Sequence, residues 1–177
     1  MKKIVFGFCL LAGFLVSEKA AAQFKNGDKL LNIGIGLNSY YSAGTPIAAS
    51  FEVGVSDVVS VGGLIDYVGT SYAYPGGSTS FSALYIGARG SYHFNDLLNL
   101  RSKDWDIYGG ASLGYRSFSW SDTNVGNGLS LGGSYSSGVF LGIHAGAKYY
   151  FNQKVGAFLE LGGGGSGNIR LGVAFKF

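Results

Sequence analysis

Few residues in this chain could carry acid–base or nucleophilic chemistry: His93 and His144, the hydroxyls of Ser91 and Ser112, and the carboxylates of Glu52 and Glu160. A serine activated by a histidine that a carboxylate orients is the usual arrangement for acyl transfer. Ser91 and His93 stand two residues apart, so on a strand they share one face. His144 sits between Gly142 and Gly146, a setting that suits a packed, hydrogen-bonded imidazole better than a general base. No enzyme is expected. Two histidines without a matched third ligand make a poor metal site. The stretch beginning at Asp122 places Gly126, Asn127 and Gly133 where a calcium loop needs an oxygen ligand, a glycine and a glutamate. The run Gly162 to Gly165 lacks a following Lys-Ser or Lys-Thr and reads as a tight flexible loop, not a phosphate cradle. No cofactor or metal is expected.

More of the chemistry lies in isolated charges set within apolar segments: the acids Glu52, Asp66, Asp106 and Glu160, and the bases Arg89, Arg116, Lys148, Arg170 and Lys176. Four acids nearly cancel five bases. Isolated charges buried in a narrow interior would each cost several kcal/mol in desolvation, so pairing is required. Arg89, Arg116 and Arg170 are each expected against one of the four acids. Such a set supports two readings, a paired network that plugs an interior or a gated pathway for protons or small ions.

The elements that hold these charges follow from composition. Lys2 and Lys3, an apolar run from Ile4 to Val16 and small residues ending at Ala22 form a secretory signal over residues 1–22, with cleavage expected before Gln23. That run is too short to span a bilayer as a helix, which needs roughly 20 residues. Cys9 is the one cysteine and lacks the small-residue context of a lipoprotein site, so the remainder, 23–177, has no disulfide or thiolate site. Removing Lys2, Lys3, Lys19 and Glu18 leaves 10 basic and 9 acidic residues, which gives no reason to expect a nucleic-acid partner. Charged residues are only 13% of the chain, too few for a soluble surface, yet no later stretch is a transmembrane helix. Alternation reconciles the two, with one face of each strand in lipid and the other inward.

Eight alternating segments are legible: Lys29 to Tyr40, Ile47 to Val55, Val59 to Gly69, Phe81 to Phe94, Trp105 to Arg116, Val139 to Phe151, Val155 to Gly162 and Ile169 to Phe177. In the fourth, Leu84, Ile86, Ala88, Tyr92 and Phe94 oppose Gly87, Arg89, Ser91 and His93. In the third, Leu64 and Val68 weaken the pattern. The predicted fold class is all-β, an eight-stranded antiparallel transmembrane up-and-down β-barrel. A soluble barrel of the same kind would point its apolar face inward and need far more outward charge.

An even strand count returns both termini to one side, the periplasm in the usual orientation. Residues 56–58, 95–104 and 152–154 are then periplasmic turns, the second with a short helical turn at the membrane surface. Residues 41–46, 70–80, 117–138 and 163–167 are external. Tyr40, Tyr41, Tyr67, Tyr72 and Tyr115 form the external aromatic girdle, and Tyr92, Phe94, Trp105, Tyr149, Phe151 and Phe175 the periplasmic one. The external loops hold Tyr72, Tyr74, Trp120 and Tyr135 among serines and glycines, with no lysine or arginine. That composition suits protein or glycan contacts and disfavours phosphates, sulfates and nucleic acid.

The segment FEVGVSDVVSVGGLIDY (Phe51 to Tyr67), the strand YIGARGSYHF (Tyr85 to Phe94) and the ending GVAFKF (Gly172 to Phe177) resemble the small outer-membrane β-barrel proteins widespread in Bacteroidota and, more distantly, OmpX and the OmpA transmembrane domain. The resemblance implies a bacterial outer-membrane location, contact with outer-membrane lipids, and recognition of Phe177 by the outer-membrane assembly machinery. It also implies a role in membrane integrity or loop-mediated binding, with a narrow channel or transporter as the alternative. Small barrels that modify lipid A work at the outer leaflet, whereas Ser91 and His93 lie toward the periplasmic end. No peptidoglycan-binding domain is expected after the eighth strand.

Overall fold

The computed structural model describes residues 23–37, 39–41, 44–75, 77–124 and 136–177, except the side chains of residues 74 and 122–124. The expected signal segment 1–22, the side chain of Tyr74 and Tyr135 lie outside the described residues. Eight strands follow in order: β1 (Lys29–Gly36), β2 (Ile47–Gly54), β3 (Val59–Tyr74), β4 (Gly77–His93), β5 (Trp105–Asn124), β6 (Gly138–Tyr150), β7 (Val155–Gly162) and β8 (Ile169–Lys176). Each pairs antiparallel with its sequence neighbours, and β1 closes on β8 from Leu30↔Lys176 to Gly36↔Arg170.

The period of two sets the two surfaces, and their polarity is inverted relative to a soluble barrel. Leu141 is 77% exposed and Ile143 74%, while Lys148 is fully buried and Glu52 is 1% exposed. Fully exposing one large aliphatic side chain to water forgoes about 1.5–3 kcal/mol, and Ile33, Ile65, Ile86, Leu113, Leu159 and Leu161 all face outward. Only a lipid surround makes that surface stable. The two residues that blurred β3, Leu64 and Val68, point inward and are buried. They are apolar residues on the polar parity of the strand.

Three strands run longer than the sequence pattern predicts. Residues 70–74 and 77–80, expected within a loop, extend β3 and β4, which stay paired as far as Tyr74↔Gly77. β5 continues past Arg116 and pairs with β4 as far as Gly77↔Asn124. Hydrophobic alternation disappears there because the strands have left the lipid, but Ser, Thr and aromatic residues still suit a pleated sheet. The result is a three-stranded blade rising beyond the barrel at the end opposite the termini. β1 is shorter than expected, although a Ser39↔Gly167 bridge continues its ladder toward β8.

At the terminal end two connections are short, and the third, between β4 and β5, is long for a turn on this side. Residues 95–104 include one helix-like turn, with Leu98 N donating to Phe94 O and Leu100 N to Asn95 O.

Candidate functional site

The barrel interior is built around a ladder of alternating charge. Arg89 Nε meets Glu52 Oε1 at 2.9 Å, and its Nη2 donates to Glu160 Oε2 at 2.8 Å. Glu160 Oε1 accepts from Arg170 Nη1 at 2.9 Å, and Arg170 Nε reaches Asp66 Oδ2 at 3.3 Å. One arginine thus bridges two acids on different strands and the next repeats the motif, so every charge in the ladder touches at least one of opposite sign. Tyr108 donates its phenol to Glu160 Oε2 at 3.0 Å. Burying these ions is tolerable only because partners replace the water they lose.

Toward the terminal end the network continues through hydroxyls and imidazoles. Ser60 and Ser91 both donate to Glu52 Oε2, at 2.9 and 2.6 Å. Ser60 Oγ lies 3.0 Å from His93 Nε2, and His93 Nδ1 lies 2.7 Å from Asp106 Oδ1. Asn95 Nδ2 donates to the same Asp106 oxygen at 3.2 Å. Lys148 Nζ lies 3.4 Å from Asp106 Oδ2 and 4.4 Å above the Tyr108 ring. Ser60, His93 and Asp106 have the contact order of a serine nucleophile, its base and an orienting acid. They are 0%, 1% and 0% exposed, however, and the Ser60 proton is committed to Glu52. The arrangement is a sealed hydrogen-bond chain with no room for a substrate.

Both mouths are closed by chain segments. At the terminal end the ring of Phe24 covers His93, and Lys176 Nζ holds the segment by donating to Gln23 O at 3.2 Å, with Asp28 Oδ2 3.6 Å away. At the other end the glycine run between β7 and β8 folds inward: Gly165, Ser166 and Gly167 are buried, and Ser166 donates both its backbone N–H (3.0 Å) and its hydroxyl to Asp66 Oδ1. Gly162 (φ +135°) and Gly164 (φ +102°) adopt backbone that side-chain-bearing residues rarely reach, which is why glycines build this lid. Beside the ladder lies a crevice of about 20 Å³ among Asn32, Ser50, Asp66, Arg89, Glu160 and Arg170, room for about one water.

The structure brings Glu52, Asp66, Arg89, Asp106, Lys148, Glu160 and Arg170 into this network, together with Ser60, Ser91, His93 and Asn95. Arg116 does not join it, contrary to the sequence expectation. Its guanidinium donates to Ser136 O at 2.9 and 3.2 Å and lies over the Tyr85 ring, because it sits above the lid where none of the four acids reaches. Tyr41, expected at the lipid interface, instead turns inward at 9% exposure with its hydroxyl 2.5 Å from that of Tyr85. Burial, then the bond to Tyr85, raise the Tyr41 phenol well above its ordinary range. Ser91 contacts His144 Nε2 at 3.1 Å, and the expected proximity of Ser91 to His93 produces no direct bond among the described residues. Ser112 lies apart, against Gly164. Phe177 is 67% exposed, its backbone paired with Lys29. Tyr72 and Trp120 are exposed on the blade.

Phe24, Ser60, Asn95 and Ser166 were not anticipated as partners. Strand parity shows that Ser60 faces inward, but the sequence carries no signal for the height at which residues of different strands meet.

The sequence matches no family model and none of the curated proteins. Its fold is shared with solved barrels. These include a de novo designed transmembrane β-barrel (TM-score 0.51, 13% identity, covering 88% of this chain and 99% of that one). They also include Ail, the attachment invasion locus protein of Yersinia pestis, in complex with the heparin analogue sucrose octasulfate (0.52, 14%, 86% and 99%). A third is the N-terminal β-barrel domain of Pseudomonas aeruginosa OprF (0.50, 21%, 88% and 100%). At these identities the likeness establishes the fold, a closed eight-stranded transmembrane barrel.

Proposed function

We propose that this chain is a closed structural and interaction barrel of the bacterial outer membrane, exported by a cleaved signal at residues 1–22. It anchors a rigid external surface in the lipid and conducts nothing through its centre. The observation that carries this reading is the ladder Glu52–Arg89–Glu160–Arg170–Asp66, sealed by Phe24 at one end and the glycine lid at the other. A proton relay needs groups that release and regain protons, and arginine keeps its proton at physiological pH, so Arg89 and Arg170 interrupt one. This argues against the narrow channel or transporter. The outward apolar belt contacts outer-membrane lipids and contributes to envelope integrity. Phe177, exposed beside the β1–β8 seam, is the element offered to the assembly machinery. The kinship with Bacteroidota-type barrels, OmpX and the OmpA transmembrane domain belongs to the same reading.

In this orientation the terminal end is periplasmic and the blade is external. The Ail complex contains a sulfated, heparin-like ligand. Residues 117–138 of this chain include no lysine or arginine, so a glycan partner here is neutral, or the partner is a protein patch, and its binding depends weakly on salt. Nucleic acid is not a partner. Single-channel recording of the refolded protein in planar bilayers tests the proposal: leak alone is expected, and steady stepwise conductance would overturn it.

A further inference from the structure

The blade carries a different chemistry on each face. Cross-strand register lines up, on the outward face, the rows Tyr67·Leu84·Ser117, then Gly69·Ser82·Ser119, then Ser71·Ser80·Ser121. The rows below are those of the lipid belt, beginning with Ile65·Ile86·Tyr115. Thus the surface changes from hydrocarbon to hydroxyl within one row. The opposite face bears Val68·Ala83·Phe118 and Thr70·Phe81·Trp120. There Tyr41, Phe81, Phe118 and Trp120 pack ring against ring at centroid distances of 5.3 to 5.8 Å. That cluster stiffens the sheet from behind, so the serines stand on a fixed lattice.

A shallow groove of about 370 Å³, widely open to solvent, lies among Tyr67, Gly69, Ser71, Ser80, Ser82, Ser119 and Ser121. Gly69 shapes it: a Cβ there would meet the Tyr67 hydroxyl at 2.7 Å, so the tyrosine ring folds over the glycine and walls the groove while remaining 49% exposed. Each serine hydroxyl can both donate and accept. Backbone positions on one face recur at about 4.8 Å across strands and about 7 Å along them, so the serines form a closely spaced two-dimensional array. No side chain in these rows carries a charge.

We infer that this groove binds the neutral sugars of outer-leaflet glycolipid headgroups, an inference that rests on the external orientation proposed above. A dense array of two-way hydrogen-bonding groups beside an aromatic ring matches a sugar's hydroxyl rim and apolar face. Phosphate-rich headgroups are not matched, since they call for lysine or arginine. Height selects a lipid-borne sugar over a free one. Six residues separate the Ile65 row from the Ser71 row, about 20 Å along the strand and less after tilt, so the hydroxyl rows stand where headgroup sugars stand.

The test uses the protein refolded into phosphatidylcholine nanodiscs with and without digalactosyldiacylglycerol, observed by amide NMR. Shifts are expected at Gly69, Ser71, Ser80, Ser82 and Ser119 with the glycolipid, absent with anionic phosphatidylglycerol. They should be lost in Gly69→Val, which fills the groove, and in the Ser82→Val/Ser119→Val double variant, whose side chains suit a strand. Unperturbed spectra elsewhere would show that the variants fold. No shift with glycolipid, equal shifts in the variants, or an equal response to soluble galactobiose at matched concentration would overturn the inference. Orientation is read separately, by labelling Ser121→Cys on intact cells with an impermeant maleimide. Labelling without glycolipid shifts removes the sugar site and spares the barrel reading, whereas glycolipid shifts without labelling remove the external orientation.

Discussion

Phe24 lies flat on His93, with ring centroids 3.6 Å apart and planes 7° from parallel. Phe24 is 5% exposed and His93 1%, so one aromatic ring separates the buried network from the terminal-side solvent.

Phe24→Ala should therefore do two things. It should lower unfolding stability in detergent by roughly 3–5 kcal/mol, as for other buried phenylalanines. It should also make a cysteine placed at Ser60 reactive toward a small maleimide, whereas the same cysteine behind Phe24 stays protected. Equal labelling in both backgrounds would show that Phe24 is not the seal.

Arg89→Ala leaves Glu52 and Glu160 facing each other without the cation between them. Removing one partner of a buried pair costs about 3–5 kcal/mol, to be read from urea unfolding monitored by tryptophan fluorescence. Arg116→Ala, which loses contacts to a backbone carbonyl and a tyrosine ring, should cost about 1 kcal/mol. Equal losses would mean that the ladder holds no special share of the stability.

The lid gives a paired comparison. Gly164→Ala forces a side chain onto φ +102° and should destabilise by more than about 1 kcal/mol. Gly163→Ala meets nothing closer than 3.9 Å and should be near neutral. Thermal unfolding of the two variants against the parent checks the difference, and similar midpoints would refute the strained-lid account.

Deleting Phe177 should reduce the amount of barrel inserted in cells while leaving detergent refolding largely intact, because its side chain is exposed and its contact with β1 is through the backbone. Quantitative immunoblotting of outer membranes beside a refolding gel-shift assay reads both. Equal loss in the two assays would make Phe177 a packing residue.

Within the strands, the sequence alone determined which face each side chain takes; outside them it did not, as the inward turn of Tyr41 shows. Alternation in Tyr85 to Phe94 places Arg89, Ser91 and His93 on one face because strand geometry has a period of two whatever the neighbours do. Strand number, the terminal-side turns and the inverted polarity follow from the same local rule. Sequence could not show where the strands end once they leave the lipid, since the hydrophobic signal stops at Gly69 while the β3–β4 ladder continues to Tyr74. Nor could it set height. Arg89 and Arg116 share the inward parity, yet only Arg89 stands level with Glu52 and Glu160, while Arg116 stands above the lid beside Tyr85. That difference is decided by the stagger of strands around the closed barrel, a relation among residues far apart in the chain. For the same reason the seating of Phe24 on His93, and of Ser166 on Asp66, emerged only when the sheet closed and the connecting segments folded into its mouths.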